Sequence, residues 1–238
     1  MEMAEIKYLE ISREGRILII TINNPPHNYL HTGFFRELHS CHELMLSSDI
    51  DAIIFTGKGN VFSKGADVEE IRSSSHTLDL NTVLYGNEIF TSISRLTKPV
   101  IAGINGPCMG GGLELALSCH IRVCSEKARL GLPEVSIGII PGLGGIQRMI
   151  RVVGESKALE MILLGDIISA SRALELNLVS RVFPQKEFLS NTLLFVKTLL
   201  STRKEAIEEV LKLVALLRTE GEDKNILRAA ESFTRLIS

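Results

Sequence analysis

The sequence contains no tryptophan, few aromatic residues and no long hydrophobic run. No apolar segment approaches the roughly 18 residues that a membrane-spanning helix needs, so nothing predicts a membrane partner. Neither sign of charge predominates, because the sequence has 26 lysines and arginines and 28 aspartates and glutamates. Proteins that bind nucleic acid or anionic membranes usually carry a basic surface. This composition therefore indicates neither partner.

Cysteine is also scarce, and its spacing excludes two common kinds of site. The four cysteines form no Cys-x-x-Cys pair and no disulfide framework; they are Cys41, Cys108, Cys119 and Cys124. Because the N-terminus also lacks the apolar core of a signal peptide, we expect free, mostly buried thiols in a cytoplasmic protein. His39 and His42 have no third ligand nearby in the sequence, and no metal site is predicted.

The pattern of apolar residues predicts an α/β protein. Short apolar segments at 8–12, 17–23, 52–56, 99–104 and 120–125 are typical of strands, and helical spacing occurs at 32–46, 81–96 and 155–164, with a short helix expected after Asp67. Strands that alternate with helices favour a parallel sheet with right-handed crossovers. After Gly154 the pattern is mostly helical. We predict one α/β core over residues 1–183 and a helical C-terminal region over 184–238.

The most informative segment follows the strand predicted at 99–104. Three consecutive glycines, Gly110 to Gly112, stand where that strand gives way to a helix, and Glu114 follows them. Glycines leave the main chain uncovered, and the first N–H groups of a helix have no partner within the helix. Such a junction suits an oxygen that acquires negative charge. A close-packed turn with a solvated glutamate is the alternative interpretation.

Two further segments have related features. The segment 62–67 places Gly65 and Ala66 at a second junction between a strand and a loop. The segment 131–148 is rich in glycine and proline and carries one isolated carboxylate, Glu134, between Pro133 and Val135. An acid among apolar neighbours is either exposed or buried with a raised pKa. Gly142 to Gly145 lack the third glycine of a dinucleotide-binding fingerprint.

Taken in order, the three segments resemble the crotonase family, the enoyl-CoA hydratase/isomerase superfamily. The resemblance extends from Asn24 through Gly154. It implies a crotonase-like spiral of ββα units with a helical C-terminal trimerisation region. It also implies a homotrimer or homohexamer, and a thioester substrate in place of a bound cofactor. That substrate would be an acyl-CoA or an acyl group on a carrier protein.

The resemblance assigns roles to individual residues. The main-chain N–H groups of Ala66 and Gly111 would form an oxyanion hole, and Glu114 and Glu134 would be the two catalytic glutamates of a hydratase. Further substrate-binding positions are implied at Ser63, Lys64, Gly65, Asp67, Gly110, Pro133 and Gly142.

Three departures from the family pattern concern the nucleotide part of coenzyme A and the pocket. Glu69 stands where the family often has a lysine, and Tyr29, in place of a common alanine after Asn28, is expected to reshape the pocket. The tail ending at Ser238 is expected to be shorter than usual. These departures leave a dehydratase of carrier-protein-bound acyl groups as an alternative to an enoyl-CoA hydratase. A 3,2-enoyl-CoA isomerase using Glu134 alone is another, and a non-enzymatic RNA-binding role is disfavoured by the absence of a basic stripe.

Overall fold

The computed structural model describes residues 7–67 and 80–237. Glu69 and the short helix expected after Asp67 lie outside these residues. The four cysteines are free and buried, as predicted. In the part of the chain that the structure describes, no helix is long and apolar enough to cross a membrane.

Strands and helices alternate over most of the chain. The strands are β1 (Leu9–Glu14), β2 (Ile17–Ile22), β3 (Ala52–Gly57), β4 (Val100–Ile104), β5 (Cys108–Met109), β6 (Ile121–Ser125), β7 (Arg129–Gly131), β8 (Ile167–Ser169) and β9 (Arg181–Phe183). The helices are α1 (Thr32–Ser40), α2 (His42–Leu46), α3 (Leu80–Ile93), α4 (Gly111–Ser118), α5 (Gly145–Val153), α6 (Glu155–Leu164), α7 (Ala170–Glu175), α8 (Phe188–Leu199), α9 (Lys204–Glu220) and α10 (Glu222–Ile237).

Six strands form the main sheet in the order β1-β2-β3-β4-β6-β9. β1 and β2 are antiparallel, and the remaining neighbours are parallel. A second, smaller sheet joins β5, β7 and β8, which have only two or three residues each. Because β3 and β4 are parallel neighbours, the loops that follow them leave the same edge of the main sheet.

Both faces of the main sheet are buried. Side chains alternate between the faces of a strand, so Ile53 and Phe55 enter the larger core while Ile54 faces the opposite side. That opposite side is covered by α8 through Phe188 and Val196. The helix therefore packs directly on the sheet, whereas α9 and α10 pack against each other. The proposed division of the chain at residue 183 stays a prediction.

The helix predicted over 32–46 is interrupted. The structure ends α1 at Ser40 and begins α2 at His42, with Cys41 between them. The hydroxyl of Ser40 donates a hydrogen bond to the carbonyl of Glu37 at 2.7 Å, and the N–H of Cys41 donates to the same carbonyl. A serine that binds the main chain of the preceding turn competes with regular helical bonding. The apolar residues at helical spacing in this segment are nonetheless buried: Phe34, Leu38, Cys41 and Met45.

Candidate active site

The ends of β3 and β4 are tied together beneath the site. The side chain of Asn105, just after β4, donates to the carbonyls of Gly57 and Gly59 at 2.8 Å each and accepts from the N–H of Gly57 at 3.1 Å. Ser63 and Cys108 then form a parallel bridge. These contacts hold the loop 58–67 beside the glycines that open α4.

Because the loop 58–67 is held there, the two predicted main-chain donors, the N–H groups of Ala66 and Gly111, lie close together. Gly65 has φ +84°, and a side-chain carbon placed on it would lie 2.9 Å from the nitrogen of Gly111. Only glycine adopts this conformation readily and permits such an approach. Neither the N–H of Ala66 nor that of Gly111 donates a hydrogen bond to another group in residues 7–67 or 80–237. Two unpaired donors on adjacent loops can receive one oxygen.

Glu114 is enclosed by protein and is not the solvated helix residue of the alternative interpretation. Its side chain is 2% exposed, and its Oε1 accepts hydrogen bonds from the N–H groups of Leu143 at 2.7 Å and Gly145 at 2.8 Å. Burial, followed by the nearby charge of Glu134, raises the pKa of Glu114 to about 7. Removing a carboxylate from water penalises its charged form more than two hydrogen bonds favour it.

Glu134 begins a single 3-10 turn, Glu134–Ile137, that ends at Gly138. Its Oε2 is buried and has no hydrogen-bond partner among the described residues. Burial raises the pKa of this carboxyl as well. A side-chain carbon on Gly110 would lie 3.2 Å from Oε1 of Glu134, so the carboxyl stands directly beside the glycine segment. Both carboxyls therefore hold a proton more readily than a free glutamate does, as groups that exchange protons with a substrate require.

The two carboxyls and the two main-chain donors line one cavity of about 400 Å³. Eight of the eleven predicted site residues contribute to its wall: Lys64, Ala66, Gly110, Gly111, Glu114, Pro133, Glu134 and Gly142. The rest of the wall is mostly apolar and comes from Leu30, Phe35, Thr82, Val83, Ser136, Ile137, Ile139, Ile140 and Leu143. A cavity of this kind suits a hydrocarbon chain with one reactive polar end.

Three predicted site residues do not line the cavity: Ser63, Gly65 and Asp67. Ser63 is fully buried beneath the loop, and its hydroxyl accepts a hydrogen bond from the N–H of Gly65 at 3.1 Å. Gly65 acts through its close approach to Gly111. The assignment of these residues to substrate binding stays a prediction.

Tyr29 does not contribute to the wall. Its ring packs edge-on against the rings of His27 and His31, and Leu30 is the residue of this loop that lines the cavity. The expectation that Tyr29 reshapes the pocket therefore has no support in its position.

Sequence reasoning missed the groups that hold Glu114. Leu143 and Gly145 lie 29 and 31 residues further along the chain. The one signal that could have indicated them is the pair of glycines at 144 and 145, where α5 begins. Free N–H groups at the start of a helix are ready partners for a carboxylate. Among the described residues, no cluster of three or more histidine, cysteine or acidic side chains could hold a metal ion.

Comparison with known proteins agrees with this geometry. The family model described as "Enoyl-CoA hydratase/isomerase" matches residues 12–234. A "Probable enoyl-CoA hydratase" of Bacillus subtilis (strain 168) is 45% identical over 166 residues, which are 69% of this chain and 64% of that protein. The chain thus spans less than two thirds of the length of this relative.

Solved structures resemble the chain over nearly its whole length. Pseudomonas aeruginosa DspI has a TM-score of 0.91 and 31% identity, covering 98% of this chain and 96% of DspI. A Thermobifida fusca YX protein assigned to the enoyl-CoA hydratases was solved in complex with acetoacetyl-CoA. It has a TM-score of 0.87 and 25% identity, and the match covers 97% of this chain and 95% of that protein. The protein therefore belongs to the enoyl-CoA hydratase/isomerase family and has the crotonase-like α/β fold that its sequence predicts.

Proposed function

We propose that this protein is an enoyl-thioester hydratase, a lyase that catalyses the reversible hydration of 2,3-enoyl-CoA to 3-hydroxyacyl-CoA. One observation carries the proposal: the buried carboxyl of Glu114, the half-buried Glu134 and two unpaired main-chain N–H groups line a single, largely apolar cavity. The name of the Bacillus relative, "Probable enoyl-CoA hydratase", supports the same reaction.

The main-chain donors would act on the thioester oxygen. Addition of water to the β-carbon of an enoyl thioester moves negative charge onto that oxygen and produces an enolate. The N–H groups of Ala66 and Gly111 would donate to it. Donors that are already in place stabilise such charge without reorganising, and loss of one typically costs about 10²–10³ in rate.

The two glutamates would divide the proton transfers. Glu114, as carboxylate, would take a proton from the water whose oxygen bonds to the β-carbon. Glu134, as carboxylic acid, would give its proton to the α-carbon as the enolate collapses. The reaction consumes one water and leaves one proton to return from Glu114 to Glu134. Two carboxyls in one largely apolar cavity disfavour a double negative charge, which favours a single shared proton.

Coenzyme A is the proposed carrier of the acyl group. Lys64 is a cation in the cavity wall, and the Thermobifida neighbour was solved with acetoacetyl-CoA. The alternative is an acyl group presented on the pantetheine of a carrier protein, which requires the same oxyanion hole and the same two glutamates. Glu69, one of the departures from the family pattern that suggest this alternative, is outside the described residues.

A 3,2-enoyl-CoA isomerase is the second candidate. Such an enzyme moves a proton between two carbons and needs only one carboxyl. The burial of Glu114 in the same wall as Glu134 favours the hydratase, since a second buried acid is costly to a fold that has no use for it.

We also propose that the chain acts as a homotrimer or homohexamer through the region 184–238. Apolar side chains of α9 remain exposed in the single chain, among them Val214 at 42% and Leu217 at 48%. Apolar side chains left exposed along one helix are typical of a site of association.

A panel of thioesters tests the reaction and the carrier together. Enoyl and 3-hydroxyacyl groups of several lengths would be offered on coenzyme A, on bare pantetheine and on carrier protein. Loss of the ultraviolet absorbance of the conjugated enoyl thioester reports hydration. Conversion of a 3-enoyl thioester into the conjugated isomer, without hydration, would instead identify an isomerase.

A further inference from the structure

The loop that holds Glu114 is itself held from outside the cavity. Glu114 binds two peptide groups, the one between Gly142 and Leu143 and the one between Gly144 and Gly145. Each of them also has a carbonyl, which points to a different partner. A peptide whose carbonyl accepts a hydrogen bond is fixed in orientation, and its N–H becomes a stronger donor.

Asn87 fixes the first peptide. This residue lies on α3, and its Nδ2 donates to the carbonyl of Gly142 at 2.7 Å and to that of Val83, within α3, at 3.1 Å. The peptide between Gly142 and Leu143 thus connects the α3 side chain to the carboxyl of Glu114. Its carbonyl accepts at one end and its N–H donates at the other.

Arg148 fixes the rest of the loop. Its main-chain N–H donates to the carbonyl of Gly144 at 3.1 Å, on the second peptide that binds Glu114, in a regular bond of α5 that does not depend on the side chain. Its side chain donates through Nη1 to the carbonyl of Leu143 at 2.5 Å and through Nη2 to the hydroxyl of Thr91, on α3, at 3.3 Å. The guanidinium therefore connects the loop to the same helix as Asn87.

We infer that Asn87 and Arg148 are positioning residues for Glu114. They act through the peptide groups of 142–145, and neither of them lines the cavity. This inference names further residues for the proposed reaction and so rests on the proposed function. The geometry that supports it concerns only how Glu114 is held.

The electrostatics agree with this arrangement. Among the described residues, two charged groups act on the carboxyl of Glu114: Glu134, which raises its pKa, and Arg148, which lowers it. The main-chain donors of Leu143 and Gly145 lower it as well. Loss of the Arg148 cation, or weaker orientation of these donors, should therefore favour the protonated form of Glu114.

Titration of Glu114 tests the inference without any need for turnover. Infrared spectra of the carboxyl stretch would be recorded from pH 5 to 9, with Glu114→Gln identifying the band. Arg148→Met should raise the pKa of Glu114 by about 1, and Asn87→Ala, which leaves every charge in place, should raise it by a smaller amount. Arg151→Met, which removes a cation one turn further along α5, should leave it unchanged.

Kinetics provide the second readout. If the protein hydrates enoyl thioesters, Arg148→Met and Asn87→Ala should each lower kcat by about 10-fold to 100-fold with little change in KM, because the water is activated by a displaced carboxylate. Should Arg148→Met not fold, Asn87→Ala carries the same prediction. An unchanged pKa of Glu114 in the folded variants would overturn the inference, as would an equal shift in Arg151→Met. An inactive wild type with the predicted titration would contradict only the proposed function.

Discussion

At Glu114, burial and hydrogen bonding act in opposite directions on one carboxyl group. Two peptide N–H groups favour its charged form, yet its pKa is raised from 4.5 to about 7 because the side chain is almost completely removed from water. A group that is half ionised near neutral pH is a suitable base for activating water.

Glu114 should lower the stability of the native protein as pH rises. The unfolded carboxyl loses its proton near pH 4.5, whereas the folded one retains it to about pH 7. Stability from this group is therefore complete below 4.5 and is lost as pH rises through 7. Glu114→Gln cannot ionise. Its free energy of unfolding, relative to that of the wild type, should therefore rise by up to about 3 kcal/mol between pH 4.5 and 8. Urea unfolding at several pH values measures this difference; a constant difference would contradict it.

Gly65 offers a prediction about the two main-chain donors. Gly65→Ala should strain the backbone and push the new carbon against the nitrogen of Gly111, so both stability and activity should fall. Gly15→Ala is the matched control, because Gly15 also has a positive φ, +59°, but open space around it. The control should cost about 1–2 kcal/mol and leave kcat unchanged. If Gly65→Ala lost no more stability than Gly15→Ala and kept full activity, the close approach of Gly65 to Gly111 would be dispensable.

The site residues that could be predicted from sequence are those with local patterns. The glycines at 65 and 110–112 and the isolated Glu134 are visible as motifs. Asn105 could not be recognised, since its hydrogen bonds go to Gly57 and Gly59, 48 and 46 residues earlier in the sequence. A single asparagine in a loop gives no sign of a distant partner.

Among the secondary-structure elements, the longer helices and strands could be predicted from the sequence and the shortest strands could not. The helix at 155–164 is predicted with the bounds that the structure has, and the longer strands are predicted to within a residue or two. The second sheet was missed because β5, β7 and β8 have two or three residues, too few to show alternation. Their pairing depends on tertiary contacts that local propensity does not reveal.

Helix α8 allows a test of the predicted division of the chain at residue 183. Phe188 is 4% exposed in the core beneath this helix, whereas its neighbour Leu189 is 47% exposed. Phe188→Ala should lower the free energy of unfolding by about 3–5 kcal/mol, as expected for a large side chain lost from a packed core. Leu189→Ala should cost under about 1 kcal/mol. A small effect of Phe188→Ala on urea unfolding would mean that α8 is separate from the core.

For the whole molecule, the exposed apolar side chains of α9 and α10 predict association. Phe233 on α10 is 64% exposed, and Leu217 on α9 is 48% exposed. We expect light scattering to give the mass of a trimer or a hexamer at micromolar concentration. Phe233→Lys should reduce that mass, since a charge would be buried in the interface, while Thr234→Lys controls for the added charge. A stable monomer would contradict the predicted assembly.

The central proposal is that two glutamates beside a main-chain oxyanion hole add water to an enoyl thioester. Its most direct test is the hydration of a short 2-enoyl-CoA by the wild type, Glu114→Gln and Glu134→Gln. Ultraviolet loss of the conjugated band gives kcat for each. The wild type should be active, and each variant, folded by circular dichroism, should lose roughly 10²-fold or more in kcat. A wild type without hydratase activity would contradict the proposal. So would a Glu114→Gln variant that isomerises 3-enoyl thioesters at the wild-type rate while Glu134→Gln is inactive.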